Sequence, residues 1–236
     1  MSYRSVLILI LFVMPFIGIS QNRDHGRVKS AGLMREVMWQ GKLEPAILLD
    51  TIQPIDGLYA IGPLAGLRGE ILVLNGEKYI SRVINDEEMS VKVENGAGAP
   101  FLVYAHVERW RKINIPDRIE DLNALNEYLG EISTSLNKPF VFQVKANTEK
   151  AVIHSQNLPP GSKVSSPEEA HQGQFTYSFG DEDVVIIGFF STEHQGVFTH
   201  HDSYTHMHLI TEDRVLMGHL DEASFKPGSL ELLVAD

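Results

Sequence analysis

Five of the ten histidines lie in the stretch Thr199–Leu220, THHDSYTHMHLITEDRVLMGHL, and its spacing leaves few folds open. Alternate side chains of a β-strand share a face, so His206 and His208 point one way while Met207 and Leu209 point the other. The polar residues Thr211-Glu212-Asp213-Arg214 then separate this run from a second apolar run, Val215-Leu216-Met217, as in an antiparallel hairpin. With Glu212-Asp213 as a two-residue turn, Thr211 pairs with Arg214 and His206 falls opposite His219. Directly opposed Cβ atoms are about 4.5–5.5 Å apart on one face, so His206, His208 and His219 converge. A loop of odd length would turn His219 to the other face. Three convergent imidazoles suit a divalent transition metal, zinc first, with a position left for water or substrate.

The rest of the chain bounds what such a site can be. Arg4, the apolar run Val6–Ile17 and the small residues Gly18-Ile19-Ser20 have the form of a secretory signal over residues 1–20. It is too short for a membrane span. The mature protein is then expected to begin near Gln21 and to be exported, periplasmic or extracellular, with no stable membrane span. The chain has no cysteine, which excludes disulfides, a lipidated cysteine and thiolate ligands, so any metal is held by nitrogen and oxygen. The formal charge is −11 with no Lys/Arg cluster, which speaks against a nucleic-acid partner.

Hydrophobic alternation predicts strands at 37–40, 46–49, 58–61, 70–74, 78–84, 90–93 and 101–106, with Asn75-Gly76 as the clearest hairpin turn. Trp39 and Trp110 end strand-like runs and are expected to pack in the core or at an edge. Ile119, Leu122, Leu125 and Leu129 recur at helical spacing. They predict a helix over 118–129, capped by Asp117 with Glu120, stopped at Gly130 and packed between two β-rich halves. Strands are expected again at 140–144, 151–155, 184–190, 204–211, 215–221 and 230–234, with a long loop over 158–174. The expected architecture is α+β and mostly β: an N-terminal half over 21–114, a connecting helix within 115–137, and a metal-binding C-terminal half over 138–236.

Beyond the histidines, Glu70 opens an apolar strand from a Gly-rich loop, where it could face solvent, pair with Arg68 or serve a site. Here the chain resembles the α-acetolactate decarboxylase family. The runs that carry the resemblance are Asp56-Gly57-Leu58-Tyr59-Ala60-Ile61-Gly62-Pro63-Leu64, Leu67-Arg68-Gly69-Glu70-Ile71, Leu74-Asn75-Gly76-Glu77-Lys78-Tyr79 and Ala99-Pro100-Phe101. They continue with His206-Met207-His208-Leu209-Ile210, Asp213-Arg214 and Met217-Gly218-His219-Leu220-Asp221. The resemblance spans nearly all of the mature chain and implies that family's fold. It also implies zinc on His206, His208 and His219, and Glu70 as an active-site glutamate. The implied partner is a small branched 2-hydroxy-3-oxo acid, acetolactate in the family, converted to acetoin. A homodimer is allowed.

Three departures stand out. Pro63 replaces the family's loop threonine. His154 falls where the family has its active-site arginine, exchanging a permanent guanidinium for an imidazole of pKa about 6.5. Only 17 residues follow His219, and Glu231 and Asp236 are the remaining candidates for a second glutamate. His200 and His201 either line the pocket or sit in a polar loop; His171 and His194 read as surface residues, and His106 as a packed one. Two other functions fit parts of the pattern. His206-x-His208-x-x-x-Glu212 followed by Gly218 mimics the first motif of a cupin-like metal dioxygenase or isomerase. A non-catalytic exported protein binding metal or a small acid on the same fold is the other.

Overall fold

Asn75 and Gly76 adopt φ of 50° and 88°, the left-handed pair that a tight hairpin turn requires. They join two strands that set the register of the first sheet. The computed structural model describes residues 24–136 and 139–236; the expected signal over 1–20 lies outside them. In chain order the elements are β1 Lys29–Ala31, α1 Met34–Gln40, β2 Ile47–Leu48, β3 Leu58–Pro63, β4 Glu70–Leu74, β5 Glu77–Val83 and β6 Met89–Val93. There follow β7 Gly98–Ala99, β8 Leu102–His106, β9 Trp110–Ile113, α2 Leu122–Ile132, β10 Phe140–Ser155 and α3 Pro167–Ala170. The chain ends with β11 Phe175–Phe179, β12 Glu182–Phe190, β13 Thr205–Thr211, β14 Met217–Phe225 and β15 Glu231–Ala235. The class is α+β and mostly β, as expected. No helix among the described residues is long and apolar enough to cross a membrane.

Six strands form one sheet in the order β1-β8-β3-β4-β5-β6, and seven form another built around β10. In the second sheet β10 pairs with β12, β12 with β13, β13 with β14, and β14 returns to β10, so four strands close on themselves. Closure is possible because β10 is a single 16-residue strand whose neighbours change along its length, with a register shift near Thr148–Lys150. Two separate strands were expected here, because the polar run Lys145–Lys150 looks like a break. Trp110–Ile113, from the N-terminal half of the chain, joins this sheet beside β15.

The sheets pack face to face. Tyr59, Ile61, Leu72 and Val103 of the first meet Ile187, Phe189, Ile210 and Met217 of the second in one apolar cluster. Strand alternation then fixes the site: Glu70 shares a face with Leu72, Pro63 with Ile61, His206 and His208 with Ile210, and His219 with Met217. All therefore point into the seam between the sheets.

Two expectations about helices change. Residues 37–40 belong to α1, which buries Met34 and Val37 one turn apart and ends at Gly41 in the left-handed region. A four-residue window is too short to tell that period from a strand's, and Trp39 is 61% exposed rather than packed. Helix α2 starts one turn later than expected, at the cap Asp121, whose Oδ1 accepts the Ala124 N–H at 2.8 Å. It runs through Gly130 to Ile132. It does not lie between the sheets. Leu122, Leu125, Tyr128 and Leu129 pack instead on the core of the second sheet, with Phe142, Met207 and Leu209.

The loop over 158–174 is ordered by its own packing. Ser166 caps the short α3 by accepting the Glu169 N–H, and Leu158, Val164 and Ala170 are buried against Met34, Val37, Leu67 and Phe101. Loop and α1 together roof one end of the seam.

Candidate metal centre and its surroundings

The hairpin carrying the histidines has the expected parity but a different register. Thr211 N–H donates to Leu216 O at 3.0 Å, so residues 212–215 form a four-residue loop, and His208 rather than His206 is opposite His219. The larger loop follows from Asp213, whose Oδ1 accepts from both Thr211 Oγ1 (2.6 Å) and Val215 N–H (3.0 Å). Arg214 takes φ of 64° to close it. Two residues replaced by four leave the count even, so all three imidazoles keep one face. Gly218, next to His219 and opposite Leu209, lies where a Cβ would come within 2.4 Å of His154 O. Glycine there lets β14 approach β10.

The ring centroids of His206 and His208 are 5.1 Å apart, those of His206 and His219 5.1 Å, and those of His208 and His219 5.6 Å. One nitrogen from each lies within 4.8 Å of the others, a set that could hold a metal ion. Burial drives His206 and His219 well below the ordinary histidine range and His208 to about 3, so all three are neutral imidazoles with a lone pair to offer. Nδ1 of His206 and both ring nitrogens of His208 are buried without a hydrogen-bond partner. The backbone of Phe198 beside His206 and of Ile71 beside His208 acts the other way, favouring the protonated forms, but burial outweighs it. Orphaned buried imidazole nitrogens are what a resident divalent ion would satisfy, so the donor set fits the metal expected from sequence.

Glu70 is 2% exposed. Its Oε1 accepts the Gln156 N–H at 3.1 Å, and its Oε2 lies 3.7 Å from His208 Nε2. Burial raises its pKa well above the carboxylate range, against the pull of the Gln156 N–H, and the Asp221 charge raises it further. Pairing with Arg68, one of the alternatives open at Glu70, does not occur. His154 stands opposite His219 across the strands and stacks on it at 4.6 Å. Its Nδ1 is 2.8 and 2.9 Å from the two oxygens of Asp221. A carboxylate there selects the tautomer with hydrogen on Nδ1, leaving Nε2 as the free nitrogen.

Glu70, His154, His206 and His219 line an inner cavity of about 30 Å³ together with Pro63, Gln156, Phe101 and Met34. His200 lines it too, its ring 5.1 Å from His219 and its pKa lowered by burial. His171 is an exposed residue, as expected, yet stands at the rim of the same cavity. His201 is exposed and borders only an outer chamber. His106 is packed as expected, bonding Pro54 O at 2.6 Å, and His194 is half-buried against Ser191 and Phe198. Glu231 and Asp236 do not reach the site: they pair with Lys112 at 3.0 Å and with Arg109 and Arg111 at 3.8 Å. Glu212 is exposed at the hairpin loop, so the cupin-like motif loses its carboxylate. Asp221 and Gln156 were not singled out as site residues. Asp221 follows His219 by two positions on the same strand, and that spacing was the available signal.

Comparison with known proteins supplies the family. The structure resembles that of alpha-acetolactate decarboxylase from Bacillus subtilis strain 168, with a TM-score of 0.70 and 21% identity over 88% of this chain and 84% of the other. A Staphylococcus aureus protein of unknown function, described as similar to alpha-acetolactate decarboxylase, gives a TM-score of 0.66 at 16% identity, covering 88% and 84%. The alpha-acetolactate decarboxylase of Methanosarcina mazei is 25% identical over 210 residues, covering 84% of this chain and 69% of the relative. The family model for alpha-acetolactate decarboxylase matches residues 34–236, and the chain belongs to that family.

Proposed function

We propose that this protein is a metal-dependent carbon–carbon lyase that decarboxylates 2-acetolactate, or a similar branched 2-hydroxy-3-oxo acid, to acetoin or its analogue. The observation that carries the reading is the trio of converging imidazoles, two of them buried with unpartnered ring nitrogens, and a buried carboxyl 3.7 Å from His208. Zinc, or another divalent transition metal, held by His206, His208 and His219 would supply Lewis acidity toward adjacent hydroxyl and carbonyl oxygens.

The chain's own residues would do the rest. Departure of CO₂ breaks the bond from C1 to C2 and leaves its electron pair spread over C2, C3 and the 3-oxygen, an enediolate that must be protonated at C2. Burial raises the proton affinity of the Glu70 carboxyl and Gln156 N–H holds Oε1, so a proton carried on Oε2 could be delivered to one face. Asp221 holds His154 with Nε2 free, able to bond a substrate oxygen beside the triad. The burial of Glu70, His206 and His208 lowers the local dielectric, which strengthens each of these contacts.

The test is acetoin formation by purified protein of known metal content. Stoichiometric metal with turnover supports the lyase; metal-replete protein with no turnover of any branched 2-hydroxy-3-oxo acid overturns it. One observation favours a second reading, an exported non-catalytic binder of metal or small acids: no arginine lines the inner cavity, where the family carries one. The same assay separates the two.

A further inference from the structure

The inner cavity is too small for the whole substrate. A site of about 30 Å³ holds two or three water molecules, each needing about 10–15 Å³ on this measure. A five-carbon branched acid exceeds that, so part of it must lie elsewhere. The inner cavity shares Met34, Met38, His171 and His200 with an outer chamber of about 390 Å³, completed by Arg35, Trp39, Pro167, Gly196 and His201. That volume falls within the range of pockets that enclose whole small molecules, about 300–1,000 Å³. It is far more than a methyl group needs. Met34, Met38, Trp39 and Pro167 make its wall mostly apolar, and methionines adapt to irregular alkyl shapes. Trp39 is 61% exposed on this wall, although large aromatics are usually buried unless they meet a partner.

We propose that the outer chamber is a substituent-binding subsite, and that this protein favours 2-hydroxy-3-oxo acids whose 2-substituent is a longer alkyl or an aromatic group over those carrying methyl. The reacting atoms occupy the histidine cavity, and the substituent runs out between α1 and α3 onto Trp39. This rests on the lyase reading for its substrate class, while the subsite itself stands on volume, continuity and wall chemistry.

Two measurements test it. The first compares kcat/KM for acids with a methyl, butyl or benzyl group at C2. Each buried methylene is expected to raise kcat/KM about fourfold, giving a benzyl-to-methyl ratio above ten, and Met38→Trp, which fills the chamber, should cut that ratio at least tenfold. The second follows tryptophan fluorescence as non-reactive 2-hydroxy acids with the same three substituents are added to wild-type and His208→Ala protein. The benzyl acid should perturb the emission at lower concentration than the methyl acid in both proteins, and the response should vanish in Trp39→Phe. Turnover with equal methyl and benzyl ratios overturns the subsite while leaving the lyase standing. Selective benzyl binding without turnover does the reverse. No selectivity in either measurement, or sedimentation showing a second copy covering Trp39, overturns the subsite outright.

Discussion

The seam between the sheets carries two cavities that differ in almost everything. At the turn end of β13 lies an open cleft of about 520 Å³, lined by Lys145, Asp183, Glu212, Arg214 and Glu231. The histidine cavity is about 30 Å³. The charges of the larger cleft are largely satisfied: Asn147 Nδ2 donates to Asp183 at 2.9 Å, Lys112 pairs with Glu231, and Arg214 lies over Tyr79 while donating to Thr211 O. Asn147 Oδ1 is its one buried polar atom without a partner. Around the small cavity, by contrast, unpartnered buried atoms gather: His206 Nδ1, both nitrogens of His208, Gln156 Oε1, Ser155 Oγ, and Ser81 Oγ on the strand residue opposite Glu70. A buried polar group without a partner costs about 1–3 kcal/mol, so such a concentration persists only where bound ions, water or substrate complete it. Volume marks where solvent enters; unsatisfied burial marks where chemistry is expected.

The sharpest way to break that contrast is to remove one imidazole. His208→Ala should abolish stoichiometric metal and acetoin formation together. Loss of an outer partner of a ligand alone weakens metal binding about 10–100-fold, and loss of the ligand itself should exceed that. Lys145→Ala in the large cleft should leave turnover within about twofold, as exposed substitutions usually do. If Lys145→Ala silences the enzyme and His208→Ala does not, the two cavities have been assigned the wrong way round. Chelation probes the same difference without mutation. With free metal at about a thousand times its Kd, binding contributes about 4 kcal/mol, so stripping it should lower Tm by about 8–16 °C, and zinc should restore it.

Smaller effects sharpen the assignment within the histidine cavity. Glu70→Gln keeps the acceptor for Gln156 N–H but removes the proton. Turnover should fall about 10²–10⁴-fold, the usual worth of a positioned acid, with metal content unchanged. Asp221→Asn frees His154 to adopt the other tautomer. A charge-assisted hydrogen bond is worth about 1.5–3 kcal/mol, so kcat should drop about 10–100-fold. Unchanged kcat would reduce the His154–Asp221 contact to packing.

What could be read from the sequence follows the same division between local and distant causes. Strand alternation alone placed β4 at Glu70–Leu74, and parity alone put His206, His208 and His219 on one face, because any even loop preserves it. The register was two residues out, since Asp213 bonding forward to Val215 and back to Thr211 enlarges the turn, and side-chain bonds of that kind leave no periodic trace. Helix α1 was missed because seven residues give too little period to distinguish. Glu70 shows its face in the alternation but not which sheet it looks toward. That depends on the packing of Leu72 against Ile210 and Met217, more than a hundred residues away in sequence. Asp221 meets His154 through the β10–β14 pairing, 67 residues apart, and no local pattern predicts that contact.

The smallest predicted effect concerns how an anion reaches a chain of net charge −11. Neither the histidine cavity nor the outer chamber is lined by any lysine or arginine except Arg35, which forms no ion pair among the described residues. It sits on α1 at the mouth through which a carboxylate would pass. A single exposed charge is worth at most about 1 kcal/mol and is screened within about 10 Å at 0.1 M salt. Arg35→Met should therefore raise KM about threefold at low ionic strength and leave kcat alone. The difference should fade as salt is added, because steering acts on encounter rather than on the bound state. A kcat effect that survives high salt would instead place the guanidinium on the bound carboxylate. Arg35 would then supply to the substrate carboxylate the permanent positive charge that the imidazole of His154 does not.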